Sequence, residues 1–599
     1  MMEPNLQIER RENGDLILTS GYALDSLPKS LAQIMVERVQ AHPSRSIICE
    51  KSSTGEFESL SYGDAHLRAM GVATHLLAQG ANEQTPLMIL SGASRAHFIV
   101  QLGALYARVP VVPVSISYTT VEPAFSKFRA VFDKTQPKYL FAESFDLHEE
   151  ALNASDISLN DVSLWSVARS EIGAREITQL DSLLALVDEA AVEASIQAIT
   201  RNTVAKYMFT SGSTGMPKGV IHNHGMMCAL IAAQKMLREI SDDLAPVVLD
   251  WMPWSHVGAG QMRLFGTIAQ GGTIYLDDGK PTAADYPKTL ANLRKVSITG
   301  YAGAPLGWSM LVAALEGDEA LAEQFFANLQ TLQYGSAAMP TSTYERLQTL
   351  LVKYQGARKT MSTSLMSTEV ALGLSRYWPC EDQTVVGLPM PGSCFKLVPV
   401  ADRYEIRAKS LGVTPGYIND AEKTRDAFDE EGFFRMGDAV TFADPERPEA
   451  GLRFAGRIAE QFKMTTGAWV SAGTLRAQLV AALAPIARDV VIGGLNQSYI
   501  AIMIWLNEPQ EVDAGPADRA LVDDQTLEEI RILLRKHNDA NPASSQRVDR
   551  FLIMAEPANI GAGEVTDKGY VNQGAVLSRR SQLLDRLYDE SLTEGVYPV

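Results

Sequence analysis

Several features that would assign a protein to a class are missing from this sequence. The chain of 599 residues has four cysteines, and none of them forms a Cys-x-x-Cys pair, which argues against a zinc site and against a disulfide framework. No run of about eighteen uncharged apolar residues occurs, and residues 1–11 are polar and charged rather than an apolar signal core. We therefore expect a cytoplasmic protein without integral membrane association.

Basic residues are also scarce. The chain has 53 Lys and Arg against 71 Asp and Glu, which gives a formal net charge of −18. The Lys and Arg residues are spread thinly, so we expect no nucleic-acid partner. Long repeats and low-complexity tracts are not visible. Apolar residues make up 46% of the chain, enough for several cores, so two unequal domains are expected.

Apolar runs and amphipathic stretches alternate along the first half of the chain. Ser30 is expected to cap a helix that begins at Leu31, and residues 46–49 are expected to form the strand that follows. The same alternation continues to residue 276, which predicts an α/β fold with mixed, largely parallel sheets. Near Gly456 the pattern changes, and a hairpin is predicted from 489–493 and 499–506. The predicted domains are residues 1–456 and 457–599.

Residues 210–219 contain three glycines, four hydroxyl side chains and one lysine directly after the apolar run 207–209. Glycines allow turns that point backbone N–H groups inward, and the lysine adds positive charge for an anionic polyphosphate. The register is not that of a P-loop ATPase. A flexible linker is the alternative, but linkers seldom follow a strand. The predicted phosphate ligands are Thr210, Ser211, Gly212, Ser213, Thr214, Gly215 and Lys218.

Further motifs follow in a fixed order and cover nearly the whole chain. They are 251–258, Gly335 to Pro340, Ser367-Thr368-Glu369, Gly437-Asp438, Gly456-Arg457 and a late lysine, Lys568. Together with residues 210–219, the series resembles the AMP-forming superfamily of acyl-CoA synthetases, nonribosomal adenylation domains and luciferases. The resemblance implies a large amino-terminal domain of several subdomains and a smaller, mobile carboxy-terminal domain. It also implies ATP, Mg²⁺ and coenzyme A as cosubstrates or cofactors of carboxylate activation.

The residue types suit that chemistry. Activation of a carboxylate needs in-line attack on the α-phosphate of ATP, and catalysis comes from positioning and charge. Glu369 is a hard oxygen ligand of the kind Mg²⁺ prefers. Asp438 can accept hydrogen bonds from both ribose hydroxyls, and Arg457 offers a planar fork for ribose or phosphate oxygens.

The remaining site residues come from the resemblance. It implies that Gly335, Ser336, Ala337 and Thr368 contact the adenine side of the nucleotide, that Lys568 reaches the α-phosphate, and that Lys463 and Gly467 line the coenzyme A channel. It places His256 between the carboxylate site and that channel. His222 and His224 are interpreted as packed or capping residues.

Residues 456–471 have one more residue between Lys463 and Gly467 than the common Lys-x-x-Gly form, and this resembles the feruloyl-CoA synthetase branch. The candidates for the acyl pocket are Trp254, His256, Trp308 and Met366. They favour a bulky apolar or aromatic acid such as ferulate, while benzoate, terpenoid and medium-chain acids stay open.

Three residues depart from the family pattern. Ala459 stands where a charged hinge residue is common, so either Glu460 serves or the hinge needs no charge. Leu365 and Met366 replace an aromatic residue and a glycine before Ser367. Two alternatives therefore stay open, namely an enzyme that loads a carrier protein and a degenerate nucleotide-binding regulatory protein.

Overall fold

The structure is a computed structural model of the whole chain. It describes residues 1–599 except 1, 25, 169–171, 173–174, 212–215, 239–244, 283, 336, 485, 508–521, 560–561, 566–570 and 590–594, with only the backbone described at 123, 211, 238 and 459. None of the helices in the described ranges is long and apolar enough to cross a bilayer.

The first sheet holds the predicted phosphate segment at its edge. Its described strands lie in the order Pro217–Asn223, Val204–Ser211, Val111–Pro113, Leu87–Ile89, Tyr139–Ala142, Ser163–Ser166 and Thr178–Gln179. All neighbouring pairs are parallel except the edge hairpin, which is antiparallel.

The second sheet has a similar design. Its strands lie in the order Met361–Ser362, Thr331–Tyr334, Gly300–Gly303, Val247–Asp250, Thr273–Leu276, Ser46–Lys51 and Phe57–Ser61. Only the last pair among these strands is antiparallel. Both sheets confirm the predicted α/β class with mixed, largely parallel sheets.

A third sheet of nine described strands is entirely antiparallel, and the sequence analysis did not predict it. Its order is Leu6–Arg10, Leu16–Ser20, Ser393–Val400, Arg403–Ser410, Phe434–Phe442, Leu452–Arg457, Val385–Pro389, Leu374–Ser375 and Ser364–Leu365. Residues near the start of the chain pair here with residues almost 400 positions later, since Leu16 lies opposite Leu397. This long-range pairing leaves no local signal in the sequence.

Helices cover the two parallel sheets. The helices up to residue 426 are Leu31–Ala41, Tyr62–Ala78, Arg95–Tyr106, Ser117–Thr120, Phe125–Thr135, Glu149–Ala154, Leu180–Leu183, Glu189–Ala198, His224–Arg238, Leu264–Ala269, Tyr286–Lys295, Pro305–Gly317, Glu319–Phe326, Thr341–Gln355 and Ala421–Asp426. A π-helical turn covers Gly258–Arg263, and short 3₁₀ turns cover Glu122–Ala124, Pro448–Ala450 and Ile458–Glu460.

Local sequence explains where the first helix begins. The Ser30 side chain accepts a hydrogen bond from the backbone N–H of Gln33, as expected for an N-cap. The helix then buries Leu31, Ile34 and Met35 in the largest core cluster, which also contains strand residues of both parallel sheets.

The chain after Glu460 forms a separate α/β unit. Its four-stranded sheet contains Ala487–Gly493, Ile500–Leu506, Val548–Ile553 and Val596–Pro598, and a small hairpin pairs Gln461–Lys463 with Trp469–Ser471. Its helices are Ala472–Ala482, Asp524–Ala540, Gln573–Arg579 and Ser581–Tyr588. The predicted hairpin around Asn496 is confirmed, because Gly493 lies opposite Ala501. Two core clusters of this unit are built from residues after Glu460.

Candidate functional site

The glycine-rich segment joins the two strands of the hairpin at the edge of the first sheet, and we call it the phosphate turn after its predicted role. Thr210 lies opposite Lys218 in this hairpin. The turn itself lies outside the described residues, and so do the predicted ligands Gly212, Ser213, Thr214 and Gly215, while only the backbone of Ser211 is described. Thr210 and Lys218 therefore mark the two sides of the turn, directly after a strand as the sequence predicted.

Lys218 is linked to Glu369 through a tyrosine. The Lys218 Nζ lies 5.8 Å from the centre of the Tyr417 ring, and the Tyr417 hydroxyl donates a 3.0 Å hydrogen bond to Oε1 of Glu369. Burial and the neighbouring Glu369 carboxylate raise the pKa of Tyr417, so the hydroxyl stays a donor at neutral pH. The sequence analysis missed Tyr417. The sequence signal for Tyr417 is the glycine before it, Gly416, which has a φ of +144° in the structure.

The backbone of Glu369 is tied to the same hairpin. The Glu369 carbonyl accepts a 2.8 Å hydrogen bond from the N–H of Thr414, and the Thr414 hydroxyl donates at 2.8 Å to the carbonyl of Ile221 in strand Pro217–Asn223. Ile418 N–H also donates to the Gly219 carbonyl at 2.8 Å. The strand after the phosphate turn and Glu369 are therefore held in a fixed relation.

Gly219 allows this close approach. A Cβ atom added at Gly219 would lie 2.4 Å from Cγ2 of Ile418 and 2.8 Å from Cζ of Phe209. Any side chain at this position would push the hairpin away from residues 414–418. The glycine after Lys218 thus permits the close packing of the hairpin against residues 414–418.

Glu369 fits a magnesium ion that is shared with a polyphosphate. The described residues contain no group of three or more His, Cys, Asp or Glu side chains able to form a complete metal cage. Mg²⁺ does not need one, because it usually takes one or two protein carboxylates together with waters and substrate phosphates. Glu369 is half-buried, and its carboxylate is held by Tyr417 through one oxygen.

His222 holds the residue before Glu369. Its Nε2 lies 2.7 Å from the Thr368 carbonyl, and its Nδ1 lies 2.5 Å from the side-chain oxygen Oε1 of Gln261. Burial lowers the pKa of His222 to about 4, so the ring is neutral at pH 7 and has one N–H. Both partner atoms are acceptors, so the single N–H of the neutral ring donates to one of them, the Thr368 carbonyl or Oε1 of Gln261. The interpretation of His222 as a packed residue is confirmed, but its partner is part of the site.

Asp438 and Arg457 are opposite residues on neighbouring antiparallel strands. Arg457 Nε lies 3.6 Å from Oδ1 of Asp438, with side-chain exposures of 64% and 7%. Burial is the main cause that raises the pKa of Asp438 to about 6; Arg457 opposes the change, and the neighbouring Glu460 and Glu369 add to it. The pair combines a buried acceptor with an exposed cationic fork, and Glu369 is close enough to act on the Asp438 charge.

The predicted adenine segment follows a central strand of the second sheet. Gly335 comes directly after Thr331–Tyr334, and its N–H donates a 3.4 Å hydrogen bond to the Gly303 carbonyl. Ala337 is exposed, while Ser336 lies outside the described residues. Gly335 thus lies at the carboxyl end of two parallel strands, where ligands of α/β proteins commonly bind.

His256 lies half-buried before the π-helical turn Gly258–Arg263. Its carbonyl accepts a 2.7 Å hydrogen bond from Gly260 N–H. Trp254 is 2% exposed, and its ring packs edge-on against His97 at a centroid distance of 5.1 Å. His256 is therefore the more accessible of the two pocket candidates.

Trp308 and Met366 lie in other parts of the interior. Trp308 is fully buried, packs on Tyr301, and donates its indole N–H to the Gln333 carbonyl at 3.0 Å. Met366 packs against a different core cluster, which includes Tyr377. The described contacts do not bring Trp254, Trp308 and Met366 into one group, so their role in an acyl pocket stays a prediction.

Lys463 and Gly467 lie on the small hairpin of the carboxy-terminal unit. Lys463 is exposed and lies opposite Trp469. Gly467 has a φ of +87°, and its N–H donates to the Met464 carbonyl at 3.0 Å. The hairpin tip is therefore a tight turn that requires glycine and presents a cation to solvent.

The base of the segment that contains Lys568 is well defined. Lys568 itself lies outside the described residues, but Val565 and Val571 pair on either side of the segment. The Glu564 side chain is fully buried and accepts hydrogen bonds from Nε and Nη2 of Arg580, each at 2.9 Å. A buried ion pair thus anchors Glu564, shortly before the segment that contains this lysine.

Comparison with known proteins gives one family. The family model described as AMP-binding enzyme matches residues 35–418. The chain is 24% identical over 397 residues to the 3-[(3aS,4S,7aS)-7a-methyl-1,5-dioxo-octahydro-1H-inden-4-yl]propanoyl:CoA ligase of Rhodococcus jostii, a match that covers 64% of this chain and 72% of that protein. It is 23% identical over 588 residues to a carboxylic acid reductase of Mycobacterium marinum, with 89% of this chain and 47% of that protein covered. The chain thus spans about half the length of that reductase.

Solved structures share the fold. The A domain of carboxylic acid reductase from Segniliparus rugosus, in complex with AMP and a co-purified carboxylic acid, has a TM-score of 0.70 and 18% identity, and 94% of this chain and 95% of that chain are covered. McyG A-PCP complexed with phenylalanyl-adenylate has a TM-score of 0.73 and 16% identity, with coverages of 95% and 99%.

Proposed function

The chain belongs to the AMP-binding enzyme family, and on that premise we propose that it is an ATP-dependent carboxylic acid:CoA ligase that forms AMP. The reaction has two steps. The carboxylate attacks the α-phosphate of ATP to give an acyl-adenylate and pyrophosphate, and the thiol of coenzyme A then displaces AMP to give a thioester.

The connection from Lys218 through Tyr417 to Glu369 carries this proposal. It places a cation and a carboxylate beside the phosphate turn, with the buried Asp438 close by. A polyphosphate needs the cation, and the ribose hydroxyls need a buried acceptor. These groups come from three distant parts of the sequence, and the fold brings them together. Charged side chains that only face solvent need no such convergence, so it supports a binding site.

The protein acts by positioning and charge rather than as a nucleophile. The N–H groups of the phosphate turn and Lys218 hold the β- and γ-phosphates. Asp438 accepts the ribose hydroxyls, Arg457 contacts ribose or phosphate oxygens, and residues 335–337 together with Thr368 flank the adenine. His256 lies between the acid and the thiol.

Glu369 is the residue that would hold Mg²⁺. When bound, the ion supplies charge neutralisation of the phosphate oxygens. Tyr417 keeps the Glu369 carboxylate oriented. The Thr414 N–H holds the carbonyl of Glu369, and His222 holds the carbonyl of the preceding residue, Thr368.

The carboxy-terminal unit supplies the groups that change between the two steps. We place the domain boundary between residues 456 and 457, with Ala459 or Glu460 at the hinge. Lys568 reaches the α-phosphate during adenylation, and a rotation of the unit then brings Lys463 and Gly467 to the channel for the pantetheine arm of coenzyme A.

The proposed substrate is an aromatic, hydroxycinnamate-like or other bulky apolar acid such as ferulate. The support is the spacing of residues 456–471, which resembles the feruloyl-CoA synthetase branch, while Trp254, Trp308 and Met366 stay the pocket residues that the sequence predicts. The relative from Rhodococcus jostii, whose name specifies a bicyclic propanoyl group, is compatible with a bulky acid.

A carrier-loading enzyme is the second candidate. Its support is that the similar structures include McyG A-PCP and that the similar proteins include carboxylic acid reductases. In that case the same adenylate would react with the thiol of a carrier protein instead of coenzyme A.

A panel of carboxylic acids tests the proposal. Purified protein with ATP, Mg²⁺ and each acid is expected to release pyrophosphate only with bulky apolar or aromatic acids, and to form a thioester when coenzyme A is added. Glu369→Gln, which keeps an acceptor for Tyr417 but removes the charge, is expected to lower the rate about 100-fold. Glu345→Gln, at an exposed ion pair with Arg358, is the matched control without effect.

The acceptor and the alternatives are decided in the same assay. Thioester formation with a holo-carrier protein but not with coenzyme A would establish the second candidate. Binding of ATP without pyrophosphate release for every acid in the panel would reject catalysis and leave a regulatory nucleotide-binding protein.

A further inference from the structure

A lysine is fully buried in strand Val204–Ser211, which leads to the phosphate turn. Lys206 has 0% exposure, its Nζ donates a 2.8 Å hydrogen bond to the Gly260 carbonyl, and it lies 5.1 Å from the centre of the Phe265 ring. No carboxylate in the described part of the chain lies within ion-pair distance of it. A charged amine without a counter-ion is costly to bury, and burial lowers the pKa of Lys206 to about 7.

His222 lies directly opposite Lys206 on the other strand of the hairpin. Lys206 bonds the carbonyl of Gly260, and His222 bonds the side chain of the next residue, Gln261. Two opposite side chains of the phosphate hairpin thus hold two consecutive residues of the π-helical turn. We refer to Lys206 and His222 as the basic pair.

The π-helical turn Gly258–Arg263, which the basic pair holds, is packed closely against residues 254–256. Gly260 N–H donates to the His256 carbonyl at 2.7 Å. A Cβ atom at Gly260 would lie 1.9 Å from the Trp254 carbonyl oxygen. A displacement of Gly260 would therefore move His256 with it.

The basic pair also reaches the proposed metal ligand. His222 Nε2 lies at hydrogen-bond distance, 2.7 Å, from the Thr368 carbonyl, which belongs to the peptide unit that joins Thr368 to Glu369. The hairpin of residues 204–223, the π-helical turn Gly258–Arg263 and residues 368–369 are far apart in the sequence. Side chains of the hairpin contact both of the other segments.

We propose that Lys206 and His222 are positioning residues, which fix His256 and Glu369 relative to the phosphate turn. The inference rests on the proposed adenylation. It explains why the fold keeps an uncompensated lysine in its interior, where a methionine of similar length would pack without the cost of burying an amine.

Two variants and two matched controls test this inference. Lys206→Met and His222→Leu are compared with Lys127→Met and His148→Leu. Lys127 is 9% exposed with its Nζ 5.6 Å from the centre of the Tyr118 ring, and His148 is 3% exposed with its Nδ1 2.8 Å from Thr119 Oγ1. The readouts are kcat and KM of acid-dependent pyrophosphate exchange, the melting temperature, and hydrogen–deuterium exchange of residues 258–269.

The expected result separates positioning from general stability. Lys206→Met and His222→Leu should each lower kcat at least about tenfold, with little change in KM for ATP, because a misplaced catalytic group lowers turnover steeply. Deuterium exchange of residues 258–269 should become faster in both. Lys206→Met should keep or raise the melting temperature, since a buried amine has been removed. The double variant should lose less than the product of the single losses, because both side chains hold the same turn.

Unchanged deuterium exchange in residues 258–269 of both variants would overturn the inference. So would a loss of kcat that merely follows a fall in melting temperature and is shared by the controls. If none of the acids tested supports pyrophosphate exchange by the wild-type protein, the proposed function is rejected instead. The deuterium exchange would then decide by itself whether the basic pair holds the turn.

Discussion

Asp438 is a carboxylate that the fold keeps away from water although its proposed task requires a charge. Burial, with Glu460 and Glu369 nearby, raises its pKa to about 6, and Arg457 compensates only in part. Arg457 is largely exposed, so its contribution is screened by solvent. Such an arrangement favours a ligand that brings its own hydrogen-bond donors, as a ribose does.

This predicts a pH dependence of nucleotide binding. As the pH falls through about 6, Asp438 takes up a proton and loses its capacity to accept two ribose hydrogen bonds. At about pH 5 only about one tenth of Asp438 is ionised, so KM for ATP should be about tenfold higher than at pH 7. Initial rates at varied ATP concentration measure it.

Asp438→Asn is the control for this prediction. The folded pKa lies above the unfolded value, so the carboxylate destabilises the ligand-free protein at neutral pH, and this cost disappears in acid below both values. The variant should therefore bind ATP weakly at every pH but unfold at higher temperature than wild type at pH 7. A KM for ATP in wild type that does not change between pH 7 and pH 5 would contradict the assignment.

At the scale of elements, the ion pair Glu564–Arg580 joins helix Gln573–Arg579 and the residue after it to the segment that contains Lys568. Burial raises the pKa of Glu564, but hydrogen bonds from Arg580 and from the backbone of Asn559 outweigh it, and the net direction is downward. The carboxylate is therefore charged at neutral pH and depends on its partner.

Two adjacent arginines allow a matched comparison. Arg580 is 6% exposed at 2.9 Å from Glu564, whereas Arg579 is 44% exposed at 3.4 Å from the same carboxylate. Arg580→Met removes both arginine hydrogen bonds of the buried Glu564 carboxylate and leaves it only the longer contact with Arg579 and the Asn559 N–H, so it should cost about 3–5 kcal/mol in the free energy of unfolding of the carboxy-terminal unit. Arg579→Met should cost less than about 1 kcal/mol. Urea unfolding of both variants measures the difference, and equal losses would show that the buried pair is not the anchor.

At the scale of the whole molecule, the proposed reaction divides its two lysines between two units. Lys218 lies on the first sheet, in contact with Tyr417. Lys568 belongs to the smaller unit after Glu460, which has its own core. An arrangement of this kind allows one unit to hold the nucleotide while the other changes position.

This division predicts different losses in the two half-reactions. Lys568→Ala should lower acyl-adenylate formation by about 100-fold or more, on the scale of one lost transition-state donor, while it spares thioester formation from preformed adenylate. Lys218→Ala should weaken adenylation through the binding of ATP and pyrophosphate. Single-turnover assays of each half-reaction measure both. An equal loss in both half-reactions for Lys568→Ala would remove the proposed role.

Sequence and tertiary structure contributed different parts of this description. Composition and periodicity predicted the α/β class and several elements, because N-caps such as Ser30 and the apolar runs of buried strands are local properties. The ordered motifs predicted the family, because their residues and their order along the chain can be read directly from the sequence.

Only the tertiary structure decided which distant residues meet. The antiparallel sheet, the contact of Tyr417 with Lys218 and Glu369, and the burial of Lys206 against Gly260 all join segments that are far apart in sequence. A lysine in a strand has the same local signal whether it faces water or the core. Its environment depends on what packs against it, and packing is settled by the assembled chain as a whole.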